Sequence, residues 1–572
     1  MAEIDDLVAA LSEPSFYPHH PAEVVHHQTH LSHVFVAEPF AYKLKKPVAF
    51  PFVDLGTRER RSRLCRDEVR LNRRLCPEIY LGVTAVERSA SGALALARST
   101  VDGDVVAAGS DARPGATVED LVWMRSLPAH GMGRAALAAG RITPALLFAF
   151  ARDLARFHAA APIEPPDAPG ANLEAIEKRW LAVLRDAEPM VGRLLAAEDR
   201  DVLLDFGPTF VRRHATALAA RAAAGRVREV HGDLHLGNLC LIDTPLPALA
   251  GAPAVPAGLY AFDCIEFARD LRVNDVASEV AFLAMDLEAA DRPDLSRAFV
   301  DAYVSATGDH DVAALLPFFA SHRAAIRGMV LGLAAGEAEL SPDERDRAVA
   351  GAKRHFALAV RDAWRAAGPA LVACAGLSGS GKTTVATLLA EATGFAVVSS
   401  DDVRKRAAGL DPHAPAPPEA AARLYGRAAR RATYEAIADR ASAELAHGTP
   451  VIADATFNRA QDRALVARAA RRAGCPHLFL ECVVDDATAG ERLRARAAED
   501  CSADPHAPAR SDADASVRAL QARERDPFAP DEPHATVDTS GPRGAVRAAA
   551  VRALWRWRRE HRVRALRQTG EP

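Results

Sequence analysis

Hydrophobic residues change their spacing several times along the chain, and each change marks an expected element. Residues 31 to 55 alternate and carry β-formers, Val34, Phe35 and Val36 and then the run from Phe40 to Leu44, with Pro39 and Pro47 as breaks; a small sheet is expected. Residues 57 to 75 switch to helical spacing, with Leu64, Leu71 and Leu75 on one apolar face. The stretches 140 to 225 and 272 to 365 are rich in Ala, Leu and Arg at helical period, and 228 to 267 between them holds short β-like runs around polar clusters. The pattern predicts a small β-rich lobe over 1–128 and a larger helical lobe over 129–367.

At Gly368-Pro369 the pattern resets. Ala370 to Ala375 reads as a short buried strand, a glycine loop follows, and Thr384 to Ala392 is helical. Strand-like runs recur at 395–399, 450–453 and 478–484 between helical stretches, the alternation of a parallel α/β sheet. This third domain is expected over 368–545, followed by a basic helix over 546–572 whose Val551, Leu554 and Trp555 suit packing on the domain before it. Three Pro/Ala-rich segments, 245–258, 411–418 and 505–510, read as exposed, mobile loops.

Composition narrows the function classes. The chain has 572 residues, a formal charge of −4, 71 basic against 75 acidic side chains and eight cysteines. That balance gives no global field for nucleic acid or membrane. The cysteines form no Cys-x-x-Cys pair, no run approaches a membrane-spanning length, and the first thirty residues lack the charge and apolar pattern of an export signal. A cytoplasmic protein without membrane partners or an evident obligate protein partner is expected. Only seven of the basic residues are lysines, so a lysine in a motif deserves a reason of its own.

The first motif is Gly376-Leu-Ser-Gly-Ser-Gly381-Lys382-Thr383, which fits G-x-x-x-x-G-K-[ST] between an apolar strand and a helix. Its glycines allow successive backbone N–H groups to converge on phosphate oxygens, and the helix N-terminus adds a favourable dipole. Gly376, Ser378, Gly379, Ser380, Gly381, Lys382, Thr383 and Thr384 are the expected nucleotide contacts, with the Thr383 hydroxyl on Mg²⁺. The next strand ends in Asp401-Asp402-Val-Arg404, where a carboxylate can take a hydroxyl proton and an arginine can orient a phosphate. Asp454 ends another strand, well placed for metal-bound water or acceptor, and Arg492, Arg494 and Arg496 suit a lid. Residues 368–545 thereby resemble the P-loop kinase group that includes polynucleotide kinases, zeta toxins and chloramphenicol phosphotransferase. The resemblance implies Asp401 as general base and Arg404 as its substrate-orienting partner.

The second motif, His231-Gly-Asp233-Leu-His-Leu-Gly-Asn238, is followed by Asp263-Cys-Ile-Glu266. Phosphoryl transfer needs one carboxylate near the acceptor hydroxyl, and an amide plus a second carboxylate on Mg²⁺; H-x-D-x-x-x-x-N with a later strand-borne Asp supplies them. This resembles the aminoglycoside phosphotransferase and protein-kinase-like fold. The resemblance implies Asp233 as base, Asn238 and Asp263 as metal ligands, His231 as structural support and Lys43 as the phosphate-contacting lysine paired with Glu68. Strand alternation alone does not choose between Lys43 and Lys45. Glu68 shares a helical face with Leu64, Leu71 and Leu75, a costly place for a carboxylate without a cation. No G-x-G-x-x-G precedes Lys43; Gln28 to His33 stands there, with Ser32 and backbone N–H groups available to cover phosphate. Glu266 can add a metal or acceptor contact.

As a whole the chain resembles a bacterial family described as bifunctional aminoglycoside phosphotransferase/ATP-binding proteins. It is expected to be multidomain: an α+β protein-kinase-like bilobal domain, then an α/β P-loop domain with a parallel sheet. The implied enzyme is an ATP- and Mg²⁺-dependent phosphotransferase with two kinase sites, each acting on a hydroxyl of a small molecule; with few aromatics over 406–450, mainly Tyr425 and Tyr434, a polynucleotide acceptor is less favoured. Two other readings stay open. In one, the N-terminal half is a ligand-binding or regulatory pseudokinase beside a single working P-loop kinase; in the other, the P-loop half is a regulatory ATPase. Asp275, Glu279, Asp286 and Glu288 stand at helical spacing as candidates for an acidic acceptor pocket, although such a face is more commonly solvated. The six histidines between 19 and 33 show no regular ligand spacing.

Overall fold

A computed structural model of the chain describes residues 2–569 except 51–52, 98, 102–103, 107–115, 169–170, 250, 338–339, 412–426 and 499–514. Contacts group the chain into two units, Met1–Ala182 with Gly207–Ile326, and Val183–Phe206 with Arg327–Pro572.

The first unit begins with a six-stranded antiparallel sheet whose spatial order is Val25–Gln28, Ser32–Ala37, Phe40–Lys45, Ala116–Arg125, Tyr80–Arg88 and Leu94–Leu96. The strand Phe40–Lys45 is buried along its whole length. Because successive side chains alternate between faces, Phe40, Tyr42 and Leu44 join an apolar cluster with Leu7, Leu11, Tyr17 and Phe35. Ala41 points the other way, into a cluster with Cys65 and Val69 of the helix Arg58–Asn72. Lys43 and Lys45 share the parity of Ala41 and are carried to the helix side, where Glu68 lies. The helix ends at Asn72, so Leu75, expected on its apolar face, lies beyond it.

Farther along the chain, helices Pro144–Ala160, Leu173–Asp186, Ala215–Ala223, Val276–Ala289 and Pro293–Thr307 follow the expected helical stretches. The strands Leu239–Ile242 and Gly258–Ala261 pair antiparallel, and the Pro/Ala-rich segment between them continues as a hairpin with bridges Leu246↔Val255 and Leu249↔Ala252. This segment is not the exposed, mobile loop expected at 245–258. Four of its residues, three apart, pack into the sheet: Ala252 and Leu249 against the Leu7–Tyr17 cluster, Leu246 and Val255 against the Ala41–Cys65 cluster. Arg125 Nη1 fastens it by donating to the Pro247 carbonyl at 3.1 Å. Of the other two Pro/Ala segments, 412–418 and 505–510 lie outside the described residues, as does Tyr425.

The second unit holds a parallel five-stranded sheet in the order Ala396–Ser399, Val451–Asp454, Leu371–Ala375, His477–Val483, His534–Asp538. The first four match the expected strands. The fifth was not legible: only Val537 of His-Ala-Thr-Val-Asp is buried, so its apolar pattern is too short to read. The helix Pro342–Ala366 also belongs to this unit. The C-terminal helix Arg543–Thr569 buries Val546, Ala550, Val551, Leu554 and Trp555, with Trp555 edge-on to Trp364 at 4.8 Å and Arg547 paired to Glu198 and Asp199 at 2.5 and 2.7 Å. Among the described residues no helix is long and apolar enough to cross a membrane.

Candidate active sites

In the first unit, five charged side chains from three segments meet. Lys43 Nζ donates to Glu68 Oε1 and to Asp263 Oδ1, both at 2.6 Å. Lys45 Nζ lies 2.5 Å from Glu68 Oε2 and 2.6 Å from Glu266 Oε1. Glu68 is fully buried, and each of its oxygens faces one lysine. Burial works against the charged form of both lysines, but the Asp263, Glu68 and Glu266 carboxylates around Lys43, and Glu266 and Glu68 around Lys45, outweigh it and hold both pKa values raised. Burial likewise opposes ionisation of Glu68, and the two ammonium groups overcome it to hold that carboxyl low. Glu266 turns inward to Lys45, and burial pushes its carboxyl up. Asn72 and Tyr80 steady the Asp263 segment: Cys264 N–H donates to Asn72 Oδ1 at 2.9 Å and Asp263 N–H to the Tyr80 hydroxyl at 3.2 Å.

The loop 231–238 is tied to that segment through backbone bonds. Ile265 N–H donates to His231 O and Phe262 N–H to Asn238 O. His231 Nε2 donates to Phe262 O at 2.9 Å while Nδ1 accepts from Asp233 N–H at 3.3 Å, which fits the neutral ring; burial pushes its pKa down to about 4. Asp233 keeps about a third of its side chain exposed, and its Oδ2 accepts from Asn238 Nδ2 at 2.9 Å. His235 Nδ1 accepts from Gly237 N–H, leaving Nε2–H directed at Asp233 Oδ2, 3.3 Å away.

Two buried carboxylates of the helix Val276–Ala289 hold this loop from behind. Glu279 accepts the N–H groups of His231 and Gly232 at 2.8 and 3.0 Å, and Asp286 accepts that of Leu236 at 2.9 Å together with Arg134 Nη2. Arg323 completes the frame by donating to Gly232 O at 3.1 Å. Asp275 caps the helix and pairs with Arg221. Asp275, Glu279 and Asp286 are therefore neither a solvated face nor an acceptor pocket: the helix is buried almost throughout, and these carboxylates are scaffolding.

In the second unit the phosphate loop follows the central strand. Gly376, Gly379 and Gly381 have φ of 141°, 78° and 82°, a backbone that favours glycine. A Cβ at Gly376 would also lie 2.6 Å from Cys482 O. Lys382 Nζ donates to Leu377 O at 3.1 Å, and Thr383 Oγ1 to the buried Asp454 Oδ2 at 2.8 Å. Ser378 and Ser380 are buried in the loop and Thr384 is exposed on the first helical turn. Asp401 and Arg404 pair at 2.6 Å on the helix Ser400–Ala407. Arg492 reaches Thr539 O at 2.6 Å, and Thr539 Oγ1 donates to Ser380 O at 2.8 Å, so Arg492 is linked to the phosphate loop. Arg494 is exposed, with Nε donating to Gly490 O; the Arg496 side chain lies outside the described residues.

Residues 73–249 match the model of the phosphotransferase enzyme family, and residues 371–527 match that of an AAA domain. The chain joins a phosphotransferase-family domain to a P-loop kinase-like domain. An uncharacterized protein of Mycobacterium tuberculosis and one of Mycobacterium bovis are each 29% identical to it over 517 residues, 90% of this chain and 92% of theirs. Among solved structures, an amicoumacin kinase complex is similar over 62% of this chain and 92% of its own at 16% identity and a TM-score of 0.33. A gluconokinase from Sinorhizobium meliloti is similar over 34% and 97% at 20% identity and a TM-score of 0.24.

In the first unit the candidate residues fall into two linked groups, Lys43 with Glu68 and Asp263, and Asp233 with Asn238. Sequence reasoning missed Lys45 as a second partner of Glu68, His235 beside Asp233, and the supports Glu279 and Asp286. A carboxylate on an otherwise apolar helix is the signal that finds the last two. In the P-loop domain it missed Thr539, Gln521, whose Oε1 accepts Ser378 N–H at 2.8 Å, and Arg518, which donates to Ser378 O at 2.8 Å. These lie over 130 residues from the loop they hold, in segments with no motif of their own. The N-terminal histidines form no group of three or more His, Cys, Asp or Glu that would hold a metal, among the described residues; His26 and His33 pair at 3.0 Å.

Both candidate sites offer hard oxygen donors, Asp263 with Asn238, and Thr383 with Asp454. One or two protein oxygens completed by phosphate and water is the way Mg²⁺ is commonly held, so the residues fit that ion.

Proposed function

We propose that the chain is an ATP-dependent phosphotransferase with two working sites, each moving the γ-phosphate of ATP to a hydroxyl of a small-molecule acceptor. The observation that carries this reading is the Lys43–Glu68–Asp263 cluster joined by backbone bonds to the loop that presents Asp233. Lys43, anchored by Glu68, would contact the phosphates as a point charge. Asp233, held by Asn238 and His235 and partly open to solvent, accepts the acceptor's hydroxyl proton as the new O–P bond forms and the bond from phosphorus to the ADP oxygen breaks. Mg²⁺ on Asp263 and Asn238, and on Thr383 and Asp454 in the other site, would offset charge on the phosphate oxygens. In the P-loop domain the backbone of 376–383 and Lys382 would cradle the phosphates, Asp401 accept the proton, Arg404 orient the acceptor and Arg492 act from the lid. The seven described cysteines are free thiols, which suits the reducing cytoplasm where ATP is plentiful.

The test is γ-phosphate transfer across a panel of small hydroxylated acceptors, with Asp233→Ala and Lys382→Ala made separately. Each variant should lose one set of products and keep the other. If Asp233→Ala leaves every transfer intact while Lys382→Ala abolishes all of them, the first site is a pseudokinase and the two-site reading is wrong.

A further inference from the structure

Two lysines, and not one, contact Glu68, and they differ in what else they hold. Lys43 bonds Asp263, whose side chain is 44% exposed, whereas Lys45 bonds Glu266, whose side chain is 6% exposed. Strand and segment are thus joined by two parallel bridges three residues apart, one at the cleft and one behind it. When Asp263 turns to a cation and Lys43 to a phosphate, their mutual 2.6 Å contact is the one that can open. When it opens, Lys43 stays on Glu68 Oε1, while Lys45 still links Glu68 Oε2 to Glu266. The backbone at 263–266 therefore keeps its place on the strand while its first residue changes partners.

We infer that Lys45 is a positioning residue that, through Glu266, holds the Asp263 segment in register for a metal–nucleotide complex while the Lys43–Asp263 contact is exchanged. This rests on the kinase-site reading above. It assigns the two lysines separate tasks: Lys43 faces the ligand, and Lys45 carries the geometry. Glu266 accordingly serves as the far end of the brace and is not itself a metal ligand. Removal of a group that orients a metal-binding carboxylate commonly costs ten- to a hundredfold in metal affinity.

The experiment uses the full chain in a Lys382→Ala background, so that bound nucleotide reports the first site, and measures ADP binding by calorimetry with and without Mg²⁺. With Lys45 present, Mg²⁺ should tighten ADP binding. Lys45→Met should lose roughly ten- to a hundredfold of that metal-dependent gain while metal-free binding changes much less. Glu266→Gln, which keeps shape and an acceptor, should move the same way by a smaller factor. The double variant should be no worse than Lys45→Met, because the brace is already broken. Should Lys45→Met not fold, Glu266→Gln alone decides by the same metal-dependent ratio. An unchanged Mg²⁺ gain in Lys45→Met, or in Glu266→Gln where that variant decides, or additive losses in the double variant, would overturn the brace and leave the kinase site standing. No ADP binding with Lys45 in place would remove the kinase-site reading, and this inference with it.

Discussion

The two candidate sites hold their lysines in opposite ways. Lys43 lies among side chains: its partners Glu68 and Asp263 come from 25 and 220 residues away, and every one of these contacts is between formal charges. Lys382 lies among main chain: it bonds the carbonyl of Leu377, five residues back, in a loop shaped by three glycines with positive φ. A grip built of side chains is adjustable by exchanging partners, but it depends on the tertiary fold to bring distant segments together. A grip built of backbone is written within eight consecutive residues and depends on nothing filling the space where a Cβ would stand.

That contrast can be tested from the strongest effect downward. Asp233→Ala, the loss of the proposed base in the side-chain-built site, should lower its transfer rate by roughly 10²–10⁴-fold, read as kcat at saturating ATP. Lys382→Ala should cost the P-loop site roughly 10²–10³-fold, and Lys382→Arg should not restore it, since a planar guanidinium is a poor replacement for a compact ammonium inside the loop. Added methyl groups come next. Gly379→Ala imposes φ of 78° on a β-carbon 3.0 Å from Ala489 O and should impair the P-loop domain. Gly133→Ala drives its methyl into the Leu236 carbonyl oxygen, against the loop that carries Asp233. Each should lower the denaturation free energy by about 1–3 kcal/mol. If Gly379→Ala were silent, the claim that the P-loop grip depends on bare backbone would fall.

The smallest effect is a pH dependence. Burial depresses the folded-state pKa of His231 from the usual 6.5 to about 4, so between those values the unfolded chain binds more protons and stability rises with pH. The contribution is fully present above pH 6.5 and is lost as pH falls toward 4. Wild type should therefore lose about 2 kcal/mol between pH 7.5 and pH 5 that His231→Gln does not lose, measured by urea denaturation at both pH values. Equal losses in the two proteins would mean that His231 is not held neutral.

The same contrast explains what was legible in the sequence. The P-loop was readable because its glycines, Lys382 and Thr383 stand in one short segment, whereas Thr539, Gln521 and Arg518, which hold that loop from over 130 residues away, carry no motif of their own. Asp233, Asn238 and Asp263 were readable as fragments, and Glu68 because a carboxylate in an apolar stripe demands a cation. The choice between Lys43 and Lys45 was not readable, since both point the same way; the fold uses both, one for each oxygen of Glu68. The hairpin at 245–258 was misread because proline and alanine suggest mobility, whereas the larger Leu246, Leu249 and Val255 among them were the relevant signal. Glu279 and Asp286 were misread because helical spacing of acids looks like a wet face unless the residues between them, Val280 to Met285, are weighed as a buried run.

The hairpin has a consequence for how the protein is made. Leu7, Leu11 and Tyr17 leave the ribosome early, and the sheet strands through Arg125 follow, but the cluster they form is completed by Leu249 and Ala252. At elongation rates of about 5–20 residues per second, that leaves an incomplete apolar surface waiting for roughly 6–25 seconds after Arg125 is made. The amino-terminal lobe is therefore a debtor to sequence translated later. A fragment ending near residue 128 should expose that surface and aggregate, while one reaching past Ala261 carries its own cover.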